Sequence, residues 1–154
     1  EVYTLAMLLA DTLTSAPWEV LGSDISTQVL ARAEAGHYPL ERNEGIPTSY
    51  LNKYCLKGVR SHSGSFLISP ELKRRTHFQQ VNLTLPVDAG IGDFEVIFLR
   101  NVMIYFDMET KRKVVANLLP RLKSGGHLII GHSETLNGIQ QGLELVRATI
   151  YRKP

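Results

Sequence analysis

An open α/β sheet carrying a small antiparallel insertion is the fold this sequence predicts, on three observations. The run Phe94 to Leu99 is apolar, β-branched and aromatic over strand length and ends abruptly in Arg100 and Asn101. A buried strand is therefore expected to deliver polar groups at its carboxyl end. Strand-like and helical runs alternate along the chain, as in a doubly wound sheet. Small polar residues from Gly58 to Gly64 then lead into Ser65-Phe66-Leu67-Ile68, a hairpin set into that pattern. In an open sheet, ligands bind outside the carboxyl ends of the parallel strands, which makes Arg100 and Asn101 the first candidates for chemistry. The plain alternative is a strand cap, with Arg100 snorkelling to solvent and Asn101 starting a turn.

At 154 residues, with 44% hydrophobic and 21% charged residues, the chain suits one folded domain and not two ordinary ones. No apolar run reaches membrane-span length, and no basic-then-apolar leader is read, so a cytoplasmic protein without membrane insertion is expected. Cys55 is the single cysteine, which excludes an intrachain disulfide and a cysteine-rich metal site. The five histidines lack ligand spacing, and no metal is expected. A net charge of +2 does not argue for nucleic acid. The cluster Lys73-Arg74-Arg75, with Lys53, Lys57 and Arg60 upstream, is either a solvated helix face or a dock for an acidic protein surface.

Glu1 to Leu13 reads as a helix already under way, with Val2, Leu5, Leu9 and Leu13 spaced as one buried stripe. Pro17 ends it, and Trp18 to Asp24 reads as a strand closing on an acid. A helix follows from Ser26 to Ala35, with Val29, Leu30 and Ala33 inward and Gly36 as its stop. Asp24 is either the N-cap of that helix or an acid with two acceptor oxygens for a ribose diol. Residues 37–47 read as loop, and 50–56 as a short helix. His77 to Leu83 reads as a strand with Phe78, Val81 and Leu83 as its apolar members, where Asn82 has a structural place in a turn as its alternative. Pro86 to Gly92 is loop. Asp107 caps a helix expected from Met108 to Leu122, ended by Lys123-Ser124-Gly125-Gly126. Residues 127–131 form another buried strand, and 143–146 with 149–152 form a closing antiparallel pair.

The segment Arg100-Asn101-Val102-Met103-Ile104-Tyr105-Phe106, then a helix, then Gly126-His127-Leu128-Ile129-Ile130-Gly131-His132-Ser133-Glu134, resembles the bacterial chemotaxis receptor methyltransferase family, CheR. These enzymes use S-adenosylmethionine to methylate receptor glutamates. The resemblance implies a class I S-adenosylmethionine-dependent methyltransferase, a Rossmann-like sheet, over residues 1–154, with a β-subdomain inserted at about 50–76. It also implies that the first strand and glycine loop are missing from the sequence in hand, since Glu1 resembles the last acid of the family's Gly-Glu-Glu.

By the same resemblance, Asp24 binds the ribose, and Asn82 and Leu83 line the adenine. Glu1, Leu99, Arg100 and Asn101 complete the cofactor-binding set, and Arg100 and Tyr105 are the catalytic pair. The expected product is S-adenosylhomocysteine, the expected partner is the cytoplasmic domain of chemotaxis receptors, and nucleic acid is not expected. One subclass captures a receptor C-terminal peptide on its β-subdomain through a loop with three spaced glycines. This chain keeps Gly58 and Gly64 but has Arg60 at the middle position, a departure that counts against peptide tethering. A carboxylate acceptor needs no general base, which agrees with a chain lacking a convincing His-Asp or Cys-His pair. His132, Ser133 and Glu134 sit where they can support this shell, without an assigned role. Two other readings stand beside this one. One is a class I methyltransferase of another acceptor, and the other is a ligand- or partner-binding signalling module without turnover.

Overall fold

Helix α1 (Val2–Thr12) opens the first of two compact units, residues 1–81, in a computed structural model that describes residues 1–139 and 142–154. The expected stripe of Val2, Leu5, Leu9 and Leu13 is not the one it buries. Tyr3, Ala6 and Met7 face the core, Leu13 lies beyond the helix, and Leu8 is 51% exposed. The reason is a distant partner: the Tyr3 hydroxyl donates to the Ala33 carbonyl at 2.7 Å, and Tyr38 and Phe78 meet its ring edge-on.

Strand β1 (Val20–Asp24) leads to α2 (Thr27–Ala35), closed by Gly36 in the left-handed conformation at φ 62°. Of the three residues expected inward on α2, Leu30 is buried, while Val29 is 46% exposed. The segment expected as loop supplies a strand, β2 (His37–Pro39), because its partner lies 28 residues on. Next come α3 (Thr48–Tyr54), β3 (Cys55–Lys57) and β4 (Ser65–Ile68), and the antiparallel order is β2-β4-β3. Helix α4 (Pro70–Arg74) carries part of the basic cluster, and two of its cations are used internally. Lys73 Nζ donates to the Ala35 carbonyl, and the Arg75 guanidinium lies 4.9 Å from the Trp18 ring centre. Strand β5 (Thr76–Gln80) pairs parallel with β1, Asp24 opposite Gln80.

The second unit, residues 82–154, is built on β6 (Phe94–Leu99), α5 (Met108–Leu118), β7 (Leu122–Ile130), β8 (Glu144–Arg147) and β9 (Ile150–Arg152). The sheet order is β6-β7-β9-β8, with β6 and β7 parallel and the last two strands an antiparallel pair, as expected. Helix α5 buries Val114, Val115 and Leu118 in one cluster with Leu99, Leu128, Ile130 and Tyr151. It covers one face only. Val96 and Phe98, on the opposite face of β6, are each 43% exposed, so this strand is half-buried rather than buried on both sides. The helix also ends earlier than expected: Pro120 draws residues 119–121 into a 3-10 turn, and Leu122 to Gly126 already belong to β7. Among the described residues, no helix is long and apolar enough to cross a membrane, and no three His, Cys, Asp or Glu side chains are grouped so as to hold a metal ion.

Candidate active site

In the first unit the strand end of interest is that of β1. Asp24 does not cap α2. Ser26 does, accepting the Val29 N–H on its hydroxyl at 3.3 Å. Asp24 sits one step earlier, its Oδ1 accepting the Ser26 N–H at 2.8 Å, and Oδ2 has no partner among the described residues. The carboxylate is thus oriented by one oxygen and offers the other. Glu1 is exposed at the start of α1, where its carbonyl accepts the Leu5 N–H.

In the second unit the chain first passes Asn82 and Leu83, and here most acceptors are spent. Asn82 Oδ1 takes both the N–H and the hydroxyl of Thr84, at 3.0 and 2.8 Å, and its carbonyl takes the Leu85 N–H. The Leu83 carbonyl accepts from the side-chain amide of Asn117 on α5 at 2.9 Å. Sequence reading passed over Asn117 entirely. Its only signal is one amide on the face of α5 that also carries Val114 and Leu118. What the segment keeps available are donors, the Asn82 amide nitrogen and the Leu83 N–H.

The end of β6 is wired differently. Leu99 is buried in the core cluster and pairs with Ile130, so the strand is fixed up to the residue before Arg100. Arg100 is half-buried, and Asn101 adopts the left-handed conformation at φ 58°, which asparagine tolerates better than most residues. A 3-10 turn from Met103 to Tyr105 follows, with opposite fates for its ends: Met103 is 1% exposed and Tyr105 is 80% exposed. The phenol is therefore not a core aromatic. Glu134, beyond β7, binds this turn from outside. Its Oε2 accepts the N–H groups of Asn101 at 3.1 Å and Gly131 at 2.7 Å, and its Oε1 accepts that of Met103 at 2.8 Å.

The hairpin between β3 and β4 has left-handed backbone at two of the three positions of interest and a close approach at the third. A Cβ at Gly58 would lie 1.9 Å from the His62 carbonyl oxygen, and Gly64 has φ 83°. Arg60, which replaces the middle glycine, has φ 54°. The departure lies in the side chain and not in the backbone.

Comparison with known proteins places the chain as a whole. The structure resembles the N-methyltransferase NodS from Bradyrhizobium japonicum WM9, with a TM-score of 0.51, 15% identity, and coverage of 97% of this chain and 81% of that one. It also resembles LepI in complex with SAM, with a TM-score of 0.55, 13% identity, and coverage of 99% and 41%. These likenesses show a class I α/β methyltransferase fold. In sequence, the chain is 38% identical over 153 residues to the chemotaxis protein methyltransferase of Escherichia coli K12, covering 98% of this chain and 54% of that protein. It is 36% identical to chemotaxis protein methyltransferase 2 of Pseudomonas aeruginosa, covering 98% and 55%. The chain thus spans about half the length of the curated relatives it matches. The family model described as CheR methyltransferase, SAM binding domain, matches residues 1–152, and the chain belongs to the CheR family.

Proposed function

We propose that the full-length protein is a protein-glutamate O-methyltransferase acting on methyl-accepting chemotaxis receptors in the cytoplasm, with S-adenosylmethionine as methyl donor and S-adenosylhomocysteine as product. The supporting observation is the end of β6. The segment that carries the CheR resemblance there presents Arg100, half-buried, ahead of a turn that bears the largely exposed Tyr105 and whose Met103 N–H is held by the Glu134 carboxylate. Residues 1–154 are taken as the catalytic domain, with the β-subdomain at about 50–76.

When bound, S-adenosylmethionine supplies an electrophilic methyl group on a positively charged sulfur. The chain's own task is placement, because the acceptor carboxylate is ionised at neutral pH and needs no base. Arg100 has the planar fork that suits a carboxylate, either that of the methionine moiety or that of the incoming glutamate. Tyr105 orients the acceptor through its phenol. Asp24 fits a ribose diol, since Oδ2 is uncommitted and Oδ1 is already oriented by Ser26. Asn82 and Leu83 fit a base edge that accepts, because what they have left to offer are donors. Leu99 and Asn101 contribute backbone at the strand end, and Glu1 stands at the start of α1. A receptor C-terminal peptide is the candidate partner for the edge of the β2-β4-β3 sheet. The left-handed backbone at Arg60 and Gly64 and the close approach at Gly58 favour it, and the Arg60 side chain opposes it.

The test is labelled methyl transfer from S-adenosylmethionine to receptor-containing membranes by the full-length protein. Base-labile label is expected for wild type, and a loss of about 100-fold or more for Arg100→Ala. Wild type without label, or Arg100→Ala at wild-type rate, contradicts the reading.

A further inference from the structure

We infer that Glu134 is the positioning residue that sets where Tyr105 stands, acting through the backbone and not by touching any reactant. The inference rests on the methyltransferase reading for its consequence and on geometry for its content. One carboxylate collects three backbone N–H groups from two segments: Asn101 and Met103 after β6, and Gly131 at the end of β7. A neutral side chain of the same shape cannot do this, because an amide replaces one acceptor oxygen by a donor pointed at N–H groups.

The space for the carboxylate exists because residue 131 is glycine. A Cβ there would lie 2.6 Å from Glu134 Oε2 and 2.8 Å from Asn101 Oδ1. The clamp holds two things that local sequence does not. It satisfies the N–H of Asn101 in its left-handed conformation, and it fixes the start of the 3-10 turn, with Met103 inward and Tyr105 outward. Arg100 depends on it less, since Leu99 immediately before it is held by pairing with β7. Asn101 is the residue of the proposed cofactor set that the clamp touches, so loss of the clamp should lower turnover far more than it weakens ligand binding.

The experiment uses the full-length protein and Glu134→Gln. Expected are a kcat for receptor methylation lowered about 10- to 100-fold, a Kd for S-adenosylhomocysteine within about threefold of wild type, and a Tm within a few degrees. Faster amide hydrogen exchange at Asn101 and Met103 is expected alongside. The inference is overturned if kcat stays within about twofold, if exchange at those amides is unchanged, or if kcat, Kd and Tm all collapse together, which would mark a merely structural role. Should wild type transfer no methyl at all, the methyltransferase reading fails, while the exchange measurement still decides whether Glu134 holds the turn.

Discussion

The ends of β1 and β6 are both strand ends with polar residues, yet a carboxylate plays a different part at each. After β1, the carboxylate is set locally, Asp24 accepting the Ser26 N–H and Ser26 the Val29 N–H, while the Asp24 and Ile25 carbonyls accept from the Val81 N–H and the Gln80 amide of the neighbouring strand. After β6, the turn is held by a carboxylate 31 to 33 residues further along the chain. A side chain oriented by its neighbours tolerates change elsewhere, whereas a turn clamped by a distant carboxylate fails when that residue changes. The second is where the proposed methyl-transfer chemistry lies, and a long-range clamp is what keeps an exposed phenol in one place.

The sharpest way to break this comparison is a matched pair of alanines. Gly131→Ala should destabilise the protein by about 1–3 kcal/mol, because its Cβ displaces the Glu134 carboxylate. It should also depress methyl transfer together with Glu134→Gln. Ser26→Ala should cost about 1 kcal/mol through loss of the cap, with the affinity for S-adenosylhomocysteine preserved, since the backbone N–H that orients Asp24 remains. Denaturant melts and calorimetry on both variants check this, and equal functional losses would erase the distinction.

A smaller effect comes from the start of α5, a third local device. The Asp107 carboxyl is held below its ordinary value chiefly by the Thr110 N–H, with the Thr110 side chain adding to it. A depressed carboxyl stabilises the fold above the unfolded value near pH 4, and that contribution is lost as pH falls through the lower folded value. Asp107→Asn keeps a capping side chain but removes the titration. Its melting temperature should therefore fall less than that of wild type as pH drops below about 4, and parallel curves would count against the cap.

The same contrast explains what the sequence made legible. The strands at β1, β6 and β7, the Gly36 stop, the Asp107 cap and the closing hairpin announce themselves in contiguous residues, and all are found. The buried face of α1 differs from the expected one because the helix carries two apolar stripes, and distant partners of Tyr3, the Ala33 carbonyl and the Tyr38 and Phe78 rings, choose between them. Strand β2 was missed because it is three residues long and exists by pairing with β4. The early end of α5 had a signal in Pro120 that the apolar spacing of Leu119 and Leu122 obscured. At the site, Arg100 and Tyr105 stood out by sequence. The clamp from Glu134 and the Asn117 bond to Leu83 did not, because a carboxylate that binds backbone N–H groups leaves no pattern in the residues it holds.

The most direct test of the central claim is calorimetric titration of S-adenosylhomocysteine into the full-length protein and its Asp24→Asn variant. Asparagine keeps the oxygen that Ser26 orients and removes one acceptor, so saturable one-site binding by wild type and a Kd about 10-fold or more weaker for the variant are predicted. Wild type that does not bind, or a variant that binds equally well, would contradict the account.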